Sequence, residues 1–194
     1  MYTPRPDSSD KYGLRSQLVN FLGDRYHFAP SHKVADTHSL FAPVYMYVFA
    51  HSSVYSRYPD WWGATHGSNI PYDFGGPVSA GWPLPRSDAD VNVTLFVMTT
   101  YANFARSGDP TPQPVSGVTW ERYNPSHKAY LRVDTDPKMM PAFYPFRMAF
   151  WNDYYPQLAE VKLEEVDCPR STGSTMGTLW QIIFVFLSYA FVVM

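Results

Sequence analysis

Val44-Tyr45-Met46-Tyr47-Val48-Phe49 is an unbroken run of β-branched, aromatic and other apolar residues between Pro43 and the polar His51-Ser52-Ser53. A run this short with no polar alternation reads as a strand buried on both faces, the habit of strands in parallel sheets. Upstream, residues 1–12 read as loop. Leu14, Leu18, Val19 and Phe21 are spaced for a helix from Gly13 to Phe21 that Gly23 would end, and Pro30 precedes a short helix from Lys33 to Leu40. Downstream, residues 52–87 are rich in glycine and proline and read as one long connection, a feature that in compact domains usually carries function. Asp88 or Asp90 would cap a helix reaching Ser107, which Gly108-Asp109-Pro110 terminates. After a loop over 109–126, Ala129 to Val133 reads as a second strand. Tyr144 to Leu158 reads as an aromatic amphipathic helix with Pro145 in its first turn. Strand, helix, strand, helix predicts α/β architecture. Two strands make no stable sheet of their own, so the chain reads as part of a larger domain.

The composition agrees with a folded, loop-rich chain. Of 194 residues 45% are hydrophobic, 18% aromatic and 16% charged, with 18 prolines. Fifteen basic against seventeen acidic residues leave a formal charge of -2, which removes the main warrant for nucleic-acid binding. One cysteine rules out an internal disulfide framework and a Cys-rich metal site. Nothing in the pattern calls for a cofactor.

The two ends differ. Tyr2-Thr3-Pro4-Arg5-Pro6-Asp7 has no apolar core of the kind a secretory signal carries. No charge follows Arg170, and Leu179 to Met194 is apolar apart from Gln181 and Ser188. As a helix those residues reach about 24 Å, short of a bilayer core of about 30 Å. Small polar residues precede the tail, with Ser171, Gly173 and Ser174 as candidate attachment points, the pattern of a GPI signal. A short membrane span is the second reading, and a buried helix or a gene-model error the third. A GPI signal requires the secretory pathway, so the missing leader is reconciled if these residues are the C-terminal piece of a longer secreted protein. Asn92-Val93-Thr94 is a glycosylation sequon consistent with that compartment. The expected division is a domain part over 1–166, a polar linker over 167–178 and an apolar tail over 179–194.

His66, on the long loop after the buried strand, stands where α/β enzymes keep a general base, although a packed loop histidine is the blander reading. No G-x-S-x-G nucleophile elbow occurs in the chain. His27, His32, Asp36 and His38 match no metal-ligand spacing and read as a solvated helix face; no metal site is expected. Tyr144, Phe146, Phe150, Trp151, Tyr154 and Tyr155 read either as a partner surface or as a core-facing helix with aromatics to spare. Cys168, odd in a secreted context, is a candidate for an interchain disulfide or a free thiol.

Several segments are similar to the C-terminal third of the type-B carboxylesterase/cholinesterase family, which includes the neuroligins. Tyr58-Pro59-Asp60-Trp61-Trp62-Gly63-Ala64-Thr65-His66-Gly67 resembles the cholinesterase stretch around the catalytic histidine. Ile70-Pro71-Tyr72-Asp73-Phe74-Gly75, Tyr101 to Pro110 and Trp120-Glu121-Arg122-Tyr123-Asn124-Pro125 are closer to the neuroligin form. Ala149-Phe150-Trp151-Asn152 resembles the family's last helix, and Cys168 before a Ser/Gly stretch and an apolar end resembles GPI-anchored cholinesterases.

The resemblance implies the C-terminal portion of an α/β-hydrolase fold, with His66 as the base of a Ser-Glu-His triad whose other members lie outside these residues. It also implies a dimer through the last helix, with Phe150, Trp151, Tyr154 and Leu158 at the partner, which Cys168 would lock. Two departures matter. Cholinesterases carry an aromatic and a glutamate after His-Gly where this chain has Ser68 and Asn69, so a choline pocket is not implied. Two family cysteines that pair with each other stand here as Ala29 and Met148. The first expectation is a cell-surface, neuroligin-like adhesion protein on the extracellular side of the plasma membrane, held by its tail, with no catalysis by these residues alone. The alternative is part of an active secreted or GPI-anchored serine carboxylesterase acting on a small ester.

Overall fold

The computed structural model describes Tyr2 and residues 13–158. In chain order it holds α1 (Gly13–Gly23), α2 (Ala29–His38), β1 (Tyr47–Phe49), α3 (Ile70–Asp73), α4 (Asp88–Ser107), β2 (Tyr130–Val133), β3 (Lys138–Met140), α5 (Pro145–Ala149) and α6 (Tyr155–Leu158). The apolar run at 44–49 does what its pattern predicts. Its odd residues Tyr45, Tyr47 and Phe49 pack with Val93, Phe96, Val97 and Phe104 of α4, and Val48 packs on the opposite face. Only residues 47–49 form ladder pairs, but Val44 and Met46 already accept backbone bonds from Tyr123 at 2.7 Å and Leu131 at 2.8 Å.

The sheet has order β1-β2-β3, with β1 parallel to β2 and β2 antiparallel to β3. Tyr47 pairs with Leu131 and Phe49 with Val133, which keeps the α4-facing residues of both strands in one layer. β3 is a strand the sequence reading omits. It follows the turn residues Asp134-Thr135-Asp136-Pro137, and its Lys-Met-Met composition carries no β-branched signal.

One expected helix boundary is overturned. Gly23 does not end the first helix. Its backbone stays right-handed, and the chain passes through a π turn, Asp24–Phe28, straight into α2. The last helix is likewise interrupted by a π turn, Phe150–Tyr154. In both, the next N–H bonds five residues back, from Ala29 to the Asp24 carbonyl and from Tyr155 to the Phe150 carbonyl. A proline follows at once, Pro30 and Pro156. A proline inside a regular helix lacks its ladder donor and strikes the carbonyl one turn earlier; a π turn just upstream widens the backbone where that clash would fall.

α4 fits its prediction more closely. The N-cap is Ser87, one residue ahead of the expected aspartates, and Asp90 closes a capping box with it. Gly108, at φ +73°, ends the helix in the left-handed conformation.

The first and last helices cover the sheet face that carries Val48 and Tyr130. Their apolar layer joins Phe28, Ala29, Phe143, Met148 and Trp151. Ala29 and Met148 are therefore both buried in one cluster.

Below that layer lies a polar anchor. Asp24 is fully buried, and Arg147 grips it through Nε and through NH2 at 2.6 Å. The Tyr2 hydroxyl donates to the same carboxylate at 2.5 Å and accepts from Trp151 Nε1 at 2.8 Å. Burial, with the Asp24 carboxylate beside it, pushes the Tyr2 phenol up to about 12. Among the described residues no helix is long and apolar enough to cross a membrane.

Candidate functional site

β1 ends at Phe49, and the chain leaves the sheet through Ala50 and His51. The following connection contains single 3-10 turns at Asp60–Trp62 and Gly76–Val78, plus α3. His66 lies in a tight turn ahead of α3, where the Ser68 N–H donates to the Thr65 carbonyl at 3.0 Å. Gly67, at φ +80°, makes the left-handed step that closes this turn.

The His66 side chain is exposed, and its ring stacks on His27 from the first π turn, with centroids 4.8 Å apart and planes 14° apart. Burial, and then the neighbouring His66, lower the His27 pKa. Tyr58 stacks on Trp62 at 5.1 Å, and Trp61 meets Trp62 edge-on at 5.6 Å, so the segment before His66 is a small aromatic cluster.

Behind the turn, Asn69 is 1% exposed and its side-chain amide donates to Asp73 one helical turn on. Burial pushes the Asp73 carboxyl up to about 6, against the bonds from Asn69 and from Tyr101, whose hydroxyl also lies 2.7 Å from that of Tyr47.

A second polar centre, which the sequence reading did not single out, sits at the foot of the same connection. His51 Nε2 meets Asp90 Oδ1 at 2.8 Å with both residues buried, and Nδ1 faces Oδ1 of the partly exposed Asp134 at 3.5 Å. Asp90 also accepts from Tyr72 at 2.8 Å, Ser53 at 3.0 Å, and the Ser87 N–H and hydroxyl at 2.7 Å each. Burial alone would raise the Asp90 pKa, but the bonds from Ser87, His51 and Tyr72 overrule it and hold the carboxyl well below the usual range. Burial would likewise lower His51, yet the carboxylates of Asp134 and Asp90 on its two nitrogens raise it. A carboxylate thus faces each ring nitrogen, an arrangement that favours the imidazolium form. The pattern Ser-x-x-Asp before an apolar run was the signal that could have found Asp90.

A cavity of about 350 Å³ opens above this centre, with His51, Ser53, Tyr72 and Asp90 on its floor and Trp82, Leu84 and Tyr55 among its walls. Asp90 already accepts five hydrogen bonds, so this floor is a fastening point for β1, α3 and α4 rather than an open binding group.

The expected solvated face of α2 is only partly solvated. His32 is 3% exposed, and burial followed by the nearby Lys128 charge lowers its pKa to about 4, so it sits neutral in the core. Asp36 takes the Lys128 ammonium at 2.6 Å and the Tyr123 hydroxyl at 2.7 Å. Among the described residues no group of three or more His, Cys, Asp or Glu side chains is placed to hold a metal.

On the last helix Phe146, Tyr154 and Leu158 are exposed at 88%, 54% and 58%, and Phe150 is half-buried. Trp151 faces inward at 7% exposure, its indole N–H on Tyr2 and its ring against Phe21. Asn92 is exposed on α4, and Thr94 of its sequon is fully buried, its hydroxyl donating to the Asp90 carbonyl at 2.7 Å. Cys168, Ser171, Gly173, Ser174 and the apolar tail over 179–194 lie outside the described residues.

Comparison with known proteins places this geometry. A model of the carboxylesterase family matches residues 1–151. Neuroligin-3 of Mus musculus and neuroligin-3 of Homo sapiens are each 32% identical over 175 residues, covering 81% of this chain and 21% of theirs. Neuroligin-2 of Homo sapiens is 30% identical over 181 residues, covering 84% of this chain and 22% of its own. The chain spans about a fifth of the length of the curated relatives it matches.

Proposed function

This chain belongs to the carboxylesterase family, and from that premise we propose that it is the C-terminal part of a neuroligin-like cell-surface protein that works by adhesion. The observation that carries the reading is the neuroligin similarity, 32% identity over 81% of the chain. Ser68 and Asn69, where cholinesterases line a choline pocket, support it.

Two structural features suit a chain that continues into a larger domain. Leu14, Leu18, Leu22 and Tyr26 form a stripe at four-residue spacing on the first helix, and each is more than 40% exposed. Apolar stripes of that kind are normally covered. In addition, β1 lies at the end of the strand order although all three of its residues are buried, the burial of an interior strand. Expressed alone, residues 1–194 would expose that sheet edge and aggregate.

In this reading the protein dimerises through the last helix, with Phe150, Tyr154 and Leu158 facing the partner and Trp151 holding the helix to its own domain. Cys168 locks the dimer, the tail joins it to the membrane by a GPI anchor, and Asn92 carries a glycan added before α4 folds and buries Thr94. The adhesion partner is another cell-surface protein.

A second reading rests on His66. It is held at a tight turn after β1 and braced by a neighbouring ring, as a general base would be. In an active serine carboxylesterase it would take the proton of a serine supplied from outside these residues and return it to the leaving alcohol of a small ester.

Sequencing the transcript upstream of Met1, through the segment that would encode the nucleophile elbow, separates the two. A substituted serine is the result expected for the adhesion protein. An intact G-x-S-x-G would overturn that reading in favour of the esterase.

A further inference from the structure

Asn69 and Asp73 face each other across one turn of α3. Asn69 is 1% exposed, and its Nδ2 donates to Asp73 Oδ2. The other oxygen of each group, Asn69 Oδ1 and Asp73 Oδ1, is buried and meets no donor among the described residues. No cation forms an ion pair with Asp73 among those residues either. The helix α4 and the turn Gly76–Val78 pack against α3. α4 brings the Tyr101 hydroxyl, which bonds to Asp73 and lies 2.7 Å from the hydroxyl of Tyr47 on β1. The turn Gly76–Val78 carries no titratable side chain. Tyr72, the other titratable group of α3, turns to Asp90 instead. An ionised Asp73 would thus be a half-buried carboxylate facing an amide and phenols, with one oxygen unpaired beside an unpaired amide oxygen. Buried acceptors left in that state are costly.

We propose that α3 holds a structural proton, shared between Asp73 Oδ1 and Asn69 Oδ1. With it Asp73 is a neutral carboxylic acid. Its O–H donates to the amide oxygen while the amide N–H donates to its other oxygen, and this ring of two hydrogen bonds satisfies both buried oxygens at once. Turning the Asn69 amide over does not remove the need. Its oxygen would then meet Asp73 Oδ2, and two acceptors again require a proton between them. Burial acts in the same direction, pushing the Asp73 carboxyl from 3.8 up to about 6. Its contribution to stability is therefore complete below 3.8 and is lost as pH rises through about 6. On the cell-surface reading the protein passes from acidic compartments to a neutral exterior, and α3 loosens on the way. The proton site itself does not depend on that reading.

Amide hydrogen exchange of the full-length protein tests this, read by mass spectrometry over residues 69–75 and corrected for the intrinsic pH dependence of exchange. In wild type the protection of α3 should fall about tenfold between pH 5 and pH 7, the loss that a shift from 3.8 to about 6 carries. Asp73→Asn keeps the shape of the pair with nothing to ionise, so its protection should hold over the same range. Any change due to His51 is common to both proteins and cancels in the comparison. Tyr101→Phe removes a donor that favours the carboxylate, so the midpoint of its fall should lie above that of wild type. Level protection in wild type from pH 5 to pH 7 would overturn the proposal, as would an equal fall in Asp73→Asn. If Asp73→Asn does not fold, Tyr101→Phe decides, and a midpoint at or below the wild-type one would overturn the shared proton.

Discussion

His51 and Asp90 meet at 2.8 Å across the floor of the connection between β1 and α4, and Asp134, just past β2, faces the other nitrogen of the same ring. One histidine thus fastens the end of β1 to α4 at Asp90, 39 residues along the chain, and to the residue just past β2. The connection that presents His66 starts from this clamp.

The clamp gives stability a pH dependence with two edges. Asp90 titrates lower in the fold than its ordinary 3.8, so its contribution is complete above that value and is lost as pH falls through the folded pKa. His51 titrates higher than its ordinary 6.5, so its contribution is complete below that value and is lost as pH rises through the raised one. His51→Leu should cost about 3 kcal/mol at slightly acidic pH, the scale of one or two hydrogen bonds to a charge. Urea unfolding of the full-length protein across the pH range checks this. The gap between wild type and variant should narrow on the alkaline side, and a gap that widens there would refute the imidazolium.

Arg147 is the sole side-chain cation that pairs with the Asp24 carboxylate among the described residues, and Asp24 has no exposed surface. Arg147→Met keeps the volume but strands that charge, and should cost about 3–5 kcal/mol. Asp24→Asn in the same background should recover part of the loss. A double-mutant cycle by denaturant unfolding measures both, and independent effects of the two changes would contradict the pairing.

Gly76 stands where a Cβ would lie 2.7 Å from the Trp82 ring and 2.9 Å from the Pro71 carbonyl oxygen. Gly76→Ala should cost about 1–3 kcal/mol through overpacking. The neighbour Gly75, at φ +72°, abuts the flexible end of Met98 instead, so Gly75→Ala should be limited by its backbone strain of about 1 kcal/mol. Thermal shifts of the two variants should rank in that order.

Features carried by local signals were legible in the sequence. α4 announces itself by its periodicity and its two caps, and the run at 44–49 by its lack of polar alternation. The π turns were not legible, because Gly23 and Pro30 read as breakers. Asp24 in the first of them is held by Arg147, more than a hundred residues away, a contact no local pattern shows. β3 escaped because Lys-Met-Met has no strand signature without β2 beside it. The meeting of His51 with Asp90 and Asp134 escaped for the same reason, since no short window contains all three, although Asp90 was read as a helix cap. His66 was marked by its place on the long loop after the buried strand, and the resemblance then gave it a role. Its contact with His27 arises from the π turn that the sequence reading had broken.

The most direct measurement is fluorophosphonate labelling of the full-length protein purified from its own membranes, with His66→Ala beside it. The adhesion reading predicts no covalent labelling of either protein under conditions that label a control serine esterase. Stoichiometric labelling of wild type that His66→Ala abolishes would contradict it and make His66 a working base.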